Sequence, residues 1–229
     1  MNLYAPQLIE HSCGLLTIEG DQHHHFRNVL RGKVGDQVEI FDGKGLRALA
    51  HVMTLSKKNL EVKVEKVVPS LSSTDVPQLT IGIPKKEYLE SILRSAIQIG
   101  VTRVNLVQTR YSPWVYKRYP RLDKIMISSL LQSESLKLPE LILYESLAAF
   151  VGEKVKTILF STEIEETLGL SELTTSAENI FIGPEGGFHS EELKLFKSAS
   201  HISCTRIDGP IMKAEVAVPF CFGLATLLK

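Results

Sequence analysis

The chain has 229 residues, 44% hydrophobic and 23% charged, with 15 Gly and 10 Pro, which is too apolar for a disordered chain and too unbiased for a fibrous one. Its 26 basic and 26 acidic side chains cancel, which excludes a protein that grips nucleic acid through global positive charge; any such grip must be local. Cys13, Cys204 and Cys221, an odd count without C-x-x-C spacing, supply neither a disulfide framework nor a zinc quartet and fit a reducing compartment.

The first residues, MNLYAPQLIE, carry no basic segment followed by an apolar run, so they do not read as a secretory signal. The longest uncharged apolar stretch, Val216 to Leu228, contains Pro219 and falls short of the ~20 residues that span a bilayer. The expectation is a soluble, cytoplasmic protein with no membrane segment. His23, His24 and His25 invite a metal, but consecutive residues on a helix point about 100° apart and do not converge on one ion, so no metal is expected. In the following segment Phe26, Val29 and Leu30 share one face of a short helix that offers Arg27 and Arg31 outward. Those arginines, with Lys33 and Lys44, either join a nucleic-acid surface or only keep the chain in solution.

Val38 and Ile40, then Leu46, Ala48, Ala50 and Val52, alternate with polar residues around a turn at Asp42-Gly43-Lys44-Gly45, the pattern of a hairpin. Leu60, Val62 and Val64 repeat it, opposite Glu61, Lys63 and Glu65. Residues 1–70 are therefore expected to form a small antiparallel barrel or curled sheet. Pro69 to Pro77 is polar and without period, which places a linker at 71–77 and a second domain at 78–229.

In that second domain buried-strand runs alternate with helical periodicity: strands at 79–83, 103–107, 141–144, 157–160, 180–182 and 202–207, and helices at 85–99, 122–136, 191–199 and 213–228. That order predicts an α/β domain with a largely parallel sheet. Charge divides unevenly: residues 77–137 hold ten basic and four acidic side chains, residues 138–229 seven and thirteen. A net of +6 faces a net of −6, which suggests one face built for a polyanion.

The positive segment contains no acidic residue from Ser91 to Leu122. Within it Trp114, Tyr111, Tyr116 and Tyr119 are interleaved with Arg110, Lys117, Arg118 and Arg121. Aromatic faces stack on unpaired bases while cations meet phosphates, the usual way of holding single-stranded RNA. Packing of these aromatics on the core, or a subunit contact, is the other reading. Lys85, Lys86 and Arg94 of the same segment join the candidates.

Two loops carry the remaining signals. Ile182-Gly183-Pro184-Glu185-Gly186-Gly187 follows a strand and precedes a helix, the position at which open parallel sheets bind ligands. Ser190 is placed to cap that helix. Glu185, Glu191 and Glu192 argue against a phosphate and for a neutral or cationic ligand. Ile207-Asp208-Gly209-Pro210-Ile211-Met212 repeats the arrangement before a helix opened by Lys213 and Glu215. Two such loops on neighbouring strands would wall one cleft.

The segments His24 to Arg31, Gly35-Asp36 and Phe41-Asp42-Gly43, the helix from Lys86 through Ile99-Gly100-Val101, and Ile182 to Phe188 with Ser190-Glu191 resemble a known family over nearly the whole chain. It is the bacterial 16S ribosomal RNA uridine-N3 methyltransferases of the SPOUT superfamily. The resemblance implies a PUA-like N-terminal β-domain that binds RNA and a C-terminal α/β domain tied in a trefoil knot. It further implies a homodimer acting on small-subunit ribosomal RNA with S-adenosylmethionine as cofactor. Carried over by position, Phe160, Ser161 and Thr162, the loop Ile182 to Gly187, and the loop Ile207 to Met212 (with Asp208, Gly209 and Ile211) contact that cofactor. Glu215 is then the expected proton acceptor, directly or through water, and Lys213 offsets charge on the uracil oxygens; Glu185 shapes its loop or touches the cofactor. The chain departs from the family pattern at Gln98, Ser135, Pro210, Lys213, Ala214 and Val216. These departures keep a second reading open, a catalytically weakened RNA- or ribosome-binding protein, and a third, a methyltransferase acting on another RNA.

Overall fold

A computed structural model describes residues 1–8, 14–69, 76–165 and 177–227. The chain divides into two units, one of Met1–Thr74 with Met126–Leu138, the other of Asp75–Ile125 with Pro139–Lys229. The expected linker, 71–77, lies mostly outside the described residues.

The first unit holds β1 (Asn2–Tyr4), β2 (Gly14–Glu19), α1 (Gly20–His24), a π-helical turn (His25–Val29), β3 (Gln37–Phe41), β4 (Leu46–Leu55) and β5 (Asn59–Pro69). Its five strands run in the order β1-β3-β4-β5-β2. The strands at β3, β4 and β5 and the hairpin between the first two agree with the alternation in the sequence. Asp42 closes that hairpin, its Oδ1 accepting from the backbone N–H groups of Lys44, Gly45 and Leu46 at 2.7, 3.0 and 2.9 Å. Register shifts between Leu49/Ala50 and Val52/Thr54 bend the long β4–β5 pair. Leu16, Ile18, Phe26, Val38, Ile40, Leu60 and Val62 fill the core.

Two expectations fail here. The sheet is not antiparallel throughout, because β1 pairs with β3 in parallel. The segment after the histidines does not bury Val29, which is 61% exposed. A π-helical turn moves Val29 off the face that Phe26 occupies, since its i→i+5 bonding rotates later residues away from α-helical register.

The second unit is a six-stranded parallel sheet of order β11-β9-β10-β6-β7-β8. Its strands are β6 (Gln78–Gly82), β7 (Arg103–Val107), β8 (Glu140–Tyr144), β9 (Thr157–Phe160), β10 (Asn179–Ile182) and β11 (Ile202–Thr205). The helices are α2 (Lys86–Ile99), α3 (Pro120–Ser133, whose later turns belong with the first unit), α4 (Leu147–Gly152), α5 (Ser190–Ser198) and α6 (Ala214–Leu227). Strands β9 and β10 are buried at every position, as expected for a parallel sheet covered on both faces. Helix α2 buries Leu89, Ile92, Leu93, Ala96 and Ile97 and stops at Gly100, whose φ of 89° an L residue resists. Phe181 of β10 sits in an aromatic cluster, 5.2 to 5.5 Å from the rings of Phe150, Phe188 and Phe196, in edge-to-face geometry.

The strand order carries a consequence for the site. Strand β11 lies outside β9, and α6 then packs back against β10 and α2, so the chain after β11 recrosses the sheet it has just left. The connection that would close a knot, between β9 and β10, includes residues 166–176, outside the described residues.

Candidate functional site

The C-terminal ends of β9, β10 and β11 open onto one cavity of about 380 Å³, within the range of small-molecule sites. Its walls are Phe160 to Glu163 after β9, Ile182 to Phe188 after β10, and Ile207 with Gly209 to Met212 after β11; Lys213, Ala214, Ala217 and Cys221 of the α6 region complete it. The two glycine-proline loops are not on neighbouring strands, as the sequence suggests; they flank β9, whose own loop forms the third wall. A topology that recrosses itself hides this from a reading along the chain.

Every residue expected at the cofactor lines this cavity except Asp208, which turns outward and pairs with Arg206 at 3.1 Å. Of the expected reacting pair, Lys213 lines the cavity and holds its ammonium 5.5 Å over the ring of Tyr88. Glu215 is half-buried in the first turn of α6 and outside the lining. Sequence reasoning missed Glu163, Phe188, Ala217 and Cys221; the signal for the last two was their helical spacing from Lys213 and Ala214. Burial pushes the Cys221 thiol up to about 12, so it stays protonated and serves as apolar wall.

The loop after β10 is shaped by steric contact. Gly187 has φ of +68°, and a Cβ there would fall 1.8 Å from a Glu163 carboxylate oxygen. Gly82, at the end of β6, leaves room for Pro184, whose ring a Cβ would meet at 2.4 Å. Glu185 accepts a hydrogen bond from the backbone N–H of Lys85 at 3.0 Å, so it shapes the loop. Ser190 does not cap α5. His189 does: its Nδ1 accepts from the Glu191 N–H while the Glu192 carboxylate accepts from the His189 N–H. An imidazole one residue earlier fills the position the sequence reading gave to a hydroxyl.

The basic and aromatic strip folds differently from its sequence. Its three arginines pair with carboxylates outside the strip: Arg110 with Glu191 at 3.3 Å and Arg121 with Glu90 at 3.1 Å, both distant in sequence, and Arg118 with nearby Asp123 at 2.6 Å. Trp114 is half-buried, donates its indole N–H to the Pro84 carbonyl at 2.7 Å, and lies under the Lys86 ammonium at 5.0 Å. Tyr119 donates to Glu90, and burial, then that carboxylate, push its phenol up to about 12. Lys85, Arg94, Lys117 and Tyr111 are exposed. In the first unit Arg27, Arg31, Lys33 and Lys44 are exposed as well. His23 is buried, with Nε2 3.1 Å from the Ser56 carbonyl, and His24 Nδ1 meets the Asn28 amide. Among the described residues no group of three or more His, Cys, Asp or Glu could hold a metal. No described helix is long and apolar enough to cross a membrane.

Comparison with known proteins follows the same lines. The family model described as RNA methyltransferase domain matches residues 73–226, and that of the RNA methyltransferase PUA domain matches residues 18–65. The ribosomal RNA small subunit methyltransferase E of Rickettsia conorii is 27% identical over 88% of this chain and 85% of its own length. Its namesake from Treponema pallidum is 24% identical over 86% and 79%. Among solved structures, the Neisseria gonorrhoeae ribosomal RNA small subunit methyltransferase E bound to S-adenosyl methionine superposes with a TM-score of 0.82 at 20% identity, covering 97% of this chain and 94% of that one. The fold is thus PUA-like followed by SPOUT. With two thirds of its length matched by that catalytic-domain model, the chain belongs to the RNA methyltransferase domain family.

Proposed function

We propose that this protein transfers a methyl group from S-adenosylmethionine to N3 of a uridine in 16S ribosomal RNA, as a cytoplasmic homodimer. The observation that carries the reading is the convergence of three strand-end loops on one cavity at the ligand-binding edge of the sheet. The lining fits the cofactor. Phe160, Ile182, Ile207, Ile211 and Met212 offer apolar walls for a purine, and Gly183, Gly186 and Gly209 leave backbone groups accessible. The carboxylates of Glu163 and Glu185 favour a ligand with positive charge. When bound, the cofactor supplies an electrophilic methyl group on a sulfonium centre.

The chain's own residues do the rest. The uridine imide must lose a proton as its nitrogen approaches in line, and positioning supplies much of the rate. Lys213, held over Tyr88 at the mouth, offsets negative charge growing on the uracil oxygens. Glu215, one residue beyond the lining residue Ala214, accepts the proton through a water. Lys85, Lys86, Arg94, Arg110, Trp114, Lys117, Arg118 and Arg121 contact the RNA in the second unit, and Arg27, Arg31, Lys33 and Lys44 do so in the first. The exposed apolar side of α6, with Val216 at 51% and Phe220 at 45% exposure, supports the dimer.

Calorimetry with S-adenosylmethionine and nucleotide-resolution mapping of modified uridines in small-subunit RNA, with and without the gene, test this. Binding together with one N3-methyluridine lost on deletion supports the proposal. Binding without transfer favours the RNA-binding reading, and absence of binding defeats both cofactor and reaction. If Glu215→Gln and Lys213→Ala both leave the methylation rate intact, their assigned roles are wrong.

A further inference from the structure

Only one of the three loops around Glu192 touches the cavity. The loop after β10 lines it, whereas those after β6 and β7 do not. Hydrogen bonds nevertheless join all three in a closed triangle. The Lys85 N–H donates to Glu185 at 3.0 Å, the Arg110 N–H donates to Glu192 Oε1 at 2.9 Å, and the Trp114 indole donates to the Pro84 carbonyl at 2.7 Å. The other Glu192 oxygen accepts from the His189 N–H at 2.8 Å. One carboxylate therefore bridges two backbone amides from two loops. Tyr111 packs against Gly186 so closely that a Cβ on that glycine would come within 3.0 Å.

We infer that Glu192 is a positioning residue for the cavity loop, and that through it a ligand in the cavity stiffens the segment bearing the basic and aromatic side chains. Two of the triangle's three bonds, and both Glu192 bonds, are charge-assisted and made to main-chain donors, which cannot move without moving their loop. The neighbouring Arg110–Glu191 pair has exposed side chains, 56% and 75%, and solvent screens it. Residues 110–121 begin at the Glu192 bond, so ordering the glycine loop lowers the freedom of that segment. By reciprocity, a strand held on the segment strengthens ligand binding in the cavity by the same factor. The inference rests on the cofactor reading above.

The test uses the full chain and S-adenosylhomocysteine. Amide hydrogen exchange should show the Lys85 and Arg110 amides slowing with His189 when the probe binds, although the first two lie off the cavity. Protection confined to residues 183–189 overturns the inference. In Glu192→Gln the side chain keeps one acceptor and turns a donor toward the second amide, and probe binding should weaken about tenfold. Glu191→Gln should stay within about twofold, as for a screened surface pair. Glu192→Gln that folds and binds like the native chain also overturns it. Should Glu192→Gln not fold, the exchange pattern of the native chain decides. A native chain that binds no probe defeats the cofactor reading and the inference together, whereas binding with unchanged Lys85 and Arg110 amides defeats the inference alone.

Discussion

The parallel sheet has two halves built on one plan and put to different use. At the ends of β11, β9 and β10 the loops wall one cavity, the first and last of them with glycine and proline; at the ends of β6 and β7 they carry lysine, arginine and aromatic rings and lie outside that cavity. The recrossing explains the difference. Where α6 folds back against β10, three loops are brought together and the loop after β10 needs glycine to fit beside Glu163, while the loop after β7 extends with charged and aromatic residues. The halves should fail differently when altered.

The largest effect is expected beneath the cavity. Phe181→Ala removes the ring that Phe150, Phe188 and Phe196 surround, and should cost about 3–5 kcal/mol in urea denaturation. A loss below about 1 kcal/mol would mean that this half is not held by its aromatic cluster. Gly187→Val comes next, because a β-branched residue at φ of +68° must also displace Glu163. Cofactor affinity should fall about a hundredfold with secondary structure retained, since a strain of 1–3 kcal/mol falls on the loop itself. Native affinity in this variant would show that the loop is not part of the binding wall.

Changes in the other half should leave the cavity untouched. Replacing Lys117 and Arg118 with alanine should weaken RNA binding several-fold and lower the salt slope by about one to two, as expected when one or two phosphate contacts are lost. Cofactor affinity should not change. The Arg118–Asp123 pair is already made in the free protein, so Lys117→Ala alone should show the larger change of slope; equal slopes for the two single variants would break that distinction.

Much of this division can be read along the chain, and the unread part has a physical cause. Alternation placed the core strands of the first unit and buried runs placed β6 to β11, because period and burial are local properties. The glycine loops were legible because a strand-loop-helix position and backbone freedom leave a compositional trace. The middle wall after β9 has no glycine signature and came only from family resemblance. Its place between β10 and β11 depends on strand order, which no local pattern encodes. The strip from 110 to 121 looked free of acids, yet Glu90, Asp123 and Glu191 reach it from α2, α3 and α5. Sequence distance hides Glu90 and Glu191, whereas Asp123 stands only five residues beyond Arg118, just past the acid-free run.

The smallest effect separates the halves by pH. Cys221, on the cavity wall, is pushed by burial from 9.0 to about 12, and Tyr119, in the charged half, from 10.0 to about 12. Each folded group holds its proton more tightly than the unfolded chain does. Neither affects stability while both states keep the proton. Above pH 9 the unfolded thiol ionises first, so stability falls through the window from 9 to 12; the phenol adds to the fall only from 10 to 12. Burial also raises Tyr116 and Tyr144, so Tyr119→Phe should remove only part of the later decline. Cys221→Ala should lower stability by a constant amount near neutrality and flatten much of the fall between pH 9 and 10, where Tyr119→Phe should alter the slope far less. Urea denaturation across that range reads both. If Cys221→Ala declines as steeply as the native chain there, the thiol is not shielded, and the cavity wall is open to water along α6.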